Sequence, residues 1–329
     1  MHVLATAVLT AVFLSGISPS LLQAQQGRLM ERTLELREGS TFQLTNASGD
    51  ITVRGVAGRS AMIRGIKTVE GMNSADSAYL LEATTLTVEE GDESVSVAIS
   101  QPPAVLRGEA APVSVSITIE IPLDVALVLR STSGNIKVSG MEREISLESD
   151  SGSISVTDTE GYVSAGSVRG TISIERASSG ADASTVSGDI TLTDIDDRIR
   201  ATCLSGDITI RGGVLAEIWA NNTGGDIKFG GPVAIGSRYQ LTSHSGDIEF
   251  IAEEESAFQV SLSTVSGSIS APLELNLTGN QTSRRSLTGI INDSDASVEL
   301  TAFSGDITLI TLHRPGQIGM ISSFAEKEN

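Results

Sequence analysis

Residues 184–195 read Ser-Thr-Val-Ser-Gly-Asp-Ile-Thr-Leu-Thr-Asp-Ile, and their centre, Ser-Gly-Asp-Ile, is written again and again along the chain. The phrase stands whole at 48–51, 187–190, 205–208, 245–248 and 304–307. Looser copies are centred on Gly134, Gly152, Gly170, Gly225, Gly267 and Gly289. Self-similarity of this kind is the signature of a repeat architecture and precedes any other reading. From Gly134 to Gly305 the spacings are 18, 18, 18, 18, 19, 21, 21, 22 and 16.

Alignment on the glycine sorts the residues into columns. Two positions after it stand Ile136, Ile154, Ile172, Ile190, Ile208, Ile227, Ile248, Ile269, Ile291 and Ile307, an unbroken isoleucine column. The columns at +4, −5 and −7 are also apolar, except around Gly289, where Thr282, Arg284 and Asp293 intrude. That copy is read as a distorted coil or a slip in the alignment. The inward positions keep one parity within each strand, as a pleated strand with one buried face requires. Each repeat is therefore a strand, a tight corner at Ser-Gly, a second strand and a return loop. The expected fold is all-β: a single-stack parallel β-helix, or β-solenoid, right-handed by the crossover rule.

Glycine at the corner supplies positive φ or backbone room. The Asp, Asn, Ser or Thr that usually follows it can accept from turn amides. The column three before the glycine is small throughout, with hydroxyls expected to bond from coil to coil. Cys203, the single cysteine, belongs to that column and reads as structural. The extra residues of the longer repeats fall in the return loops at 230–238, 251–259 and 272–281, and such insertions map to one face, often a binding face.

Four segments are expected. Residues 1–24 hold an uncharged apolar run and an A-x-A-type site at Leu22-Gln23-Ala24, which reads as a cleaved secretory signal; an uncleaved anchor is the alternative. Residues 28–130 form a strand-rich N-terminal part, with a short helix near 74–83 and a proline-flanked linker over 102–112, that covers one end of the stack. Residues 131–312 form the solenoid of about ten coils, and 313–329 a tail. Without the signal the chain keeps its whole net charge of −19, which argues against nucleic acid and anionic lipid as partners. No second apolar span follows the signal, so no integral membrane span is expected after its cleavage.

The candidate sites are few. Asp189, Asp207, Asp226 and Asp247 fall in four successive coils and are the candidate Ca²⁺ ligands, weighed against simple turn capping. The loop acids Glu253, Glu254 and Glu255 are the candidate partner-binding residues. His244 is flanked by Ser243, Ser245 and Asp247, yet a triad is recognised by geometry, not by adjacency, and no nucleophile elbow, HExxH, P-loop or GxGxxG is present. No catalytic residue and no cofactor is expected. At 3% aromatic, with Trp219 standing alone, the chain lacks the platforms of a polysaccharide-cleaving β-helix.

The repeated S-G-D-I followed by x-apolar resembles the bacterial "putative adhesin" family of β-strand-repeat proteins, a domain of unknown function. The likeness covers most of the mature chain. It extends to the junction Ile119-Glu120-Ile121-Pro122 before 129–138. The acid is missing at Ser153, Thr171, Ser268 and Ile290, so no continuous acidic site is implied. The resemblance implies an exported solenoid without established catalysis. The expectation is a non-catalytic binding or scaffold protein, periplasmic, secreted or on the bacterial surface, that meets an envelope protein or glycan. The alternatives are a polysaccharide-active enzyme or an envelope spacer.

Overall fold

The computed structural model describes residues 28–69, 74–101, 113–253, 255–272, 276–277, 285–292 and 295–312. The expected signal segment, the 102–112 linker, the 313–329 tail, Glu254, Thr282, Arg284 and Asp293 lie outside the described residues. The fold is all-β and solenoid-like, built on two long, mostly parallel sheets of 13 and 14 strands among the described residues. Each repeat contributes one strand to each sheet. Ala181–Ser187, Asp197–Ser205 and Leu215–Gly224 are neighbours in one, while Ile190–Ile195, Ile208–Arg211 and Ile227–Gly231 are neighbours in the other.

The isoleucine column runs through the interior in register. Ile172 pairs with Ile154 on one side and Ile190 on the other, and all three are 0–1% exposed. Burial of each such side chain contributes about 1.5–3 kcal/mol relative to exposure. Where the repeats lengthen, aromatic rings fill the core. Phe229 and Phe250 stack at 4.5 Å, Tyr239 tilts against both, and its hydroxyl donates to the carbonyl of Leu215 at 3.1 Å.

The corner glycines lie one above another. Gly206 has φ 140°, and a Cβ built on it would overlap the carbonyl oxygen of Gly188. Gly170 shows no positive φ, yet a Cβ there would overlap the carbonyl of Gly152 in the same way. Of the two reasons a corner can demand glycine, backbone room is therefore the constant one. The small column three before the glycine also differs from expectation. Among the described residues its members do not bond to one another; six of them, from Ser167 to Thr264, donate to corner glycine carbonyls, whereas the buried Ser131 and Ser149 hydroxyls meet no partner. Thr185 reaches Gly170 at 3.3 Å, Ser243 reaches Gly225 at 3.3 Å and Asn222 reaches Gly206 at 2.8 Å. The Cys203 thiol, 1% exposed, does the same towards Gly188 at 3.4 Å, and burial pushes its pKa up.

A second corner follows six positions after the glycine. There Asp158, Arg176 and Asp194 take φ of 55°, 55° and 51°, and Gly140 and Gly212 take 68° and 67°. The next residue turns inward again, as buried Met141, Thr159, Ala177 and Ile195 show. Arg176 pairs with Asp158 at 2.5 Å, and that hydrogen bond holds the Asp158 carboxyl below its usual value.

At both ends the spatial order departs from chain order. Thr41–Ser48 and Ile51–Val56 form a coil directly beneath the Gly134 coil, although 85 residues separate Gly49 from it in sequence. Ser94–Ser100 and Ser114–Pro122 lie outside that coil. Antiparallel strands then close the end: Ser60–Thr68 and Arg28–Glu35 in one sheet, Thr85–Glu90 in the other. The helix Ser74–Ala83 lies where the pattern placed it. The ammonium of Lys67 donates to Leu81 and Thr84 carbonyls there, each at 2.6 Å, a favourable place for a cation at a helix C-terminus. At the other end, Ser297–Ser304 inserts between Arg238–Ser245 and Phe258–Ser266. Ser286–Ile291 runs antiparallel to Phe258–Ser266. The Gly289 copy is thus no coil: a strand running backwards cannot place its residues in the columns of forward strands.

Two substitutions separate backbone room from mere glycine content. Gly206→Ala is expected to destabilise by about 3 kcal/mol, because neither its φ nor the Gly188 carbonyl can yield cheaply. Gly230→Ala, with no atom within 4 Å of the added carbon, is expected to change stability by less than about 0.5 kcal/mol. Urea midpoints of the two variants check the contrast. The Asp158–Arg176 pair gives a pH signature. A carboxyl held below its unfolded value of 3.8 adds stability above that value, lost as pH falls through the folded one. Melting curves of wild type and Asp158→Asn should therefore converge as pH drops below about 4. In native protein the Cys203 thiol should react with an aromatic disulfide reagent orders of magnitude more slowly than in urea; fast native reaction would contradict its burial.

Candidate functional site

The corner that turns the chain leaves one amide without a main-chain acceptor. Gly and Ile of each phrase donate to the coil above: Gly188 to Ser205 at 3.0 Å and Ile190 to Asp207 at 2.8 Å. The N–H of the residue between them points the other way, and in the later coils a carboxylate meets it; at Ser153 the Asn135 side-chain oxygen does so instead. Asp189 Oδ1 accepts from the Asp207 amide, Asp207 from Asp226, and Asp226 from Asp247, each at 2.9 Å. Asp247 then accepts from Asp306 at 2.8 Å, and Asp306 from Ser268 at 2.7 Å. The four candidate Ca²⁺ ligands are thus brought into one column. Asp306, far away in sequence, lengthens it to five. Each carboxylate spends one oxygen on the neighbouring corner, and the side chains stand at the surface, where solvent screens their mutual repulsion. Among the described residues no group of three or more His, Cys, Asp or Glu is arranged to hold a metal ion. The capping is therefore between coils and not within one turn.

Ser243, His244 and Asp247 do not converge. The Ser243 hydroxyl points inward to Gly225, His244 lies outside with its ring stacked on Phe303 at 4.9 Å, and Asp247 serves the Asp306 amide. Glu253, the last residue of the strand Ile248–Glu253, and Glu255, in the loop after it, are both exposed. That loop is not a free arm. Ser256 is buried, its hydroxyl accepts from the Val233 amide at 3.2 Å, and its carbonyl accepts from the Asn292 side chain at 3.0 Å. The return loops so tie to each other, and Ile235, 89% exposed, stands at a tip.

A second surface surrounds Trp219, which does not stand alone in the fold. It lies on the outer face of the 14-stranded sheet. Register places Asp182, Arg200, Trp219 and Gln240 side by side on successive coils, and Arg198, Glu217 and Arg238 beside them two residues earlier. The Arg200 guanidinium lies over the Trp219 ring at 4.7 Å. Tyr162 packs against Gly180, where a Cβ would come within 3.3 Å of its ring. Burial raises the Asp182 pKa against the opposing pull of Arg200. Burial also raises that of Tyr162, which feels Asp182, Arg198 and Arg200. None of the ion pairs among the described residues involves Arg198, Arg200 or Arg238. The sequence signal for this grouping is the pair of outward columns at −8 and −6 from the glycine. Four residues further along the strands, Val168, Val186 and Leu204 form an apolar ridge, 43–52% exposed. Gly166, Ser184 and Thr202 make a low floor between ridge and arginines.

Among the described residues no helix is long and apolar enough to cross a membrane. Solved structures similar to this chain include a "putative adhesin" from Bacteroides fragilis, 13% identical with a TM-score of 0.45, covering 90% of this chain and 100% of that one. A "putative cell adhesion protein" from Clostridium sporogenes is 11% identical with a TM-score of 0.21, covering 87% and 100%. A "putative lipid binding protein" from Parabacteroides distasonis is 12% identical with a TM-score of 0.33, covering 87% and 98%. No curated protein matches the chain. The family model described as Toastrack DUF4097 matches residues 68–310, well over half the length, and the chain belongs to that family.

Proposed function

We propose that this chain is an exported, non-catalytic, right-handed single-stack solenoid that offers a rigid surface to a partner at or near the bacterial envelope. The observation that supports this reading best is where the fold spends its polar groups. Among the described residues corner carboxylates hold corner amides, inner hydroxyls such as Thr185 and Ser243 hold glycine carbonyls, and the Ser243, His244 and Asp247 side chains do not converge for acid–base work. Two long sheet faces and a set of tied return loops remain for contact. The adhesion-related names of the structural neighbours agree with the reading, as does the apolar N-terminal run with its small-residue site. The partner is proposed as an envelope protein or glycan, with Glu253, Glu254 and Glu255 as the acidic contact on the return-loop side.

Expression of the full chain in a bacterium, followed by fractionation and N-terminal sequencing, tests the export half. The expected result is a mature start near Gln25 outside the cytoplasm. Sedimentation of the purified protein with isolated envelopes tests the binding half. Recovery entirely in the supernatant would favour a spacer, and release of sugar fragments from envelope polysaccharide would overturn the non-catalytic reading.

A further inference from the structure

We infer that the outer face of the 14-stranded sheet around Arg198, Arg200, Trp219 and Arg238 binds an acidic glycan, a chain of uronate-type sugars laid along the stack. The inference rests on the binding reading above and names its ligand class. Three guanidiniums lie across about 10 Å, two coil steps of ~4.8 Å. They do so on a chain whose net charge is −19, and no carboxylate pairs with any of them in an ion pair. Arginine that closes no ion pair with its own neighbouring acids, in a chain so rich in acids, is suited to a carboxylate from outside, which it grips with a planar fork. Asp182 and Glu217 lie between and beside the arginines and stop the patch from being uniformly basic. That arrangement disfavours a polyanion as dense as nucleic acid, with one charge per ~1.7 Å of axis. It suits a sparse anion with one carboxylate per ring.

The rest of the face fits the rest of a sugar. A pyranose has an apolar C–H face, hydroxyl edges and, in a uronate, one carboxylate. The ridge of Val168, Val186 and Leu204 offers the apolar wall, 43–52% exposed. Ser184 and Thr202 on the floor offer hydroxyls within the strand ladder. Trp219, fixed by the Arg200 guanidinium at 4.7 Å, and Tyr162, seated on Gly180, give the other wall two half-exposed aromatic groups. Walls two and six positions before the corner are separated by about 13 Å, four residues at ~3.3 Å each. A ring lies between them, and its neighbours follow coil by coil.

Isothermal titration of the purified chain with tetragalacturonate and with its methyl ester tests this directly. The ester keeps every ring and hydroxyl and removes the charge. The acid is expected to bind, more weakly as salt rises, and the ester to bind at least about tenfold more weakly. The double variant Arg198→Gln/Arg200→Gln, two exposed positions that leave the core untouched, should lose affinity for the acid by a similar factor. Glu253→Gln/Glu255→Gln should bind the acid as wild type does. Equal binding of acid and ester, undiminished binding by the arginine variant, or no binding of the acid would each overturn the inference. Envelope sedimentation separates the two failures. An arginine variant that still sediments with envelopes as wild type does removes this patch and leaves the general binding reading standing. A wild type that meets neither envelope nor uronate removes both.

Discussion

The whole stack depends on how closely one corner sits on the next. The Cβ that any other residue would carry at Gly152, Gly170, Gly188, Gly206, Gly225 or Gly246 would occupy the same volume as the preceding glycine carbonyl. With hydrogen in its place, the coils settle at ladder distance and the main-chain bonds of both sheets form in register. Everything else at the corner follows. Close approach buries the glycine carbonyls, so small donors such as Thr185, Cys203 and Asn222 must reach them. The turn reverses one amide, so an acceptor must be supplied, and aspartate supplies it from the coil before. The letters of the repeated phrase are thus a set of mutual obligations between neighbouring coils.

That interdependence explains why the ends are built as they are. A coil at the end of the stack has neighbours on one side and presents unpaired edge groups on the other. The chain closes its N-terminal end with antiparallel pairings: Ser60–Thr68 runs against the stack on one sheet with Arg28–Glu35 turned back beyond it, and Thr85–Glu90 runs against the stack on the other. Ser286–Ile291 does the same on one sheet of the far end. In both places the coil carrying a full Ser-Gly-Asp-Ile phrase, at Gly49 and at Gly305, lies one step inside. The coils with the strict corner are sandwiched, and the irregular ones face the caps.

Much of this was legible because inward residues obey a parity rule that a column can reveal. Ile190 and Leu192 must share a face if the segment is a strand, whatever its neighbours are. The order of the coils was not legible, because pairing across 85 residues, as between Gly49 and Gly134, leaves no local mark. The Gly289 copy misled for a related reason: four residues resembling a corner lie here inside one strand, Ser286–Ile291, and only its antiparallel partner reveals it. The second corner escaped because its left-handed position is held by Asp158, Arg176 and Asp194 as well as by glycine. Arginine there is an unusual choice, made tolerable at the surface beside Asp158. The arginine–tryptophan face was hidden differently. Outward residues obey no rule of the fold, so no periodicity announces them, and they become a group only once register is known.

This asymmetry bears on where function can reside. A residue bound by corner stacking cannot vary freely: replacing Asp207 leaves the Asp226 amide unmet, and replacing Gly206 drives a carbon into Gly188. Such positions are committed to the coil and have little freedom to recognise anything else. The outward columns carry no such commitment. When two of them gather three arginines outside any described ion pair and the chain's single tryptophan within three coils, the fold has not required it. Stability gains little from exposed guanidiniums, and although Asp182 and Glu217 stand beside these three, neither closes an ion pair with them. The grouping makes physical sense as part of a complex whose other half carries the missing negative charge.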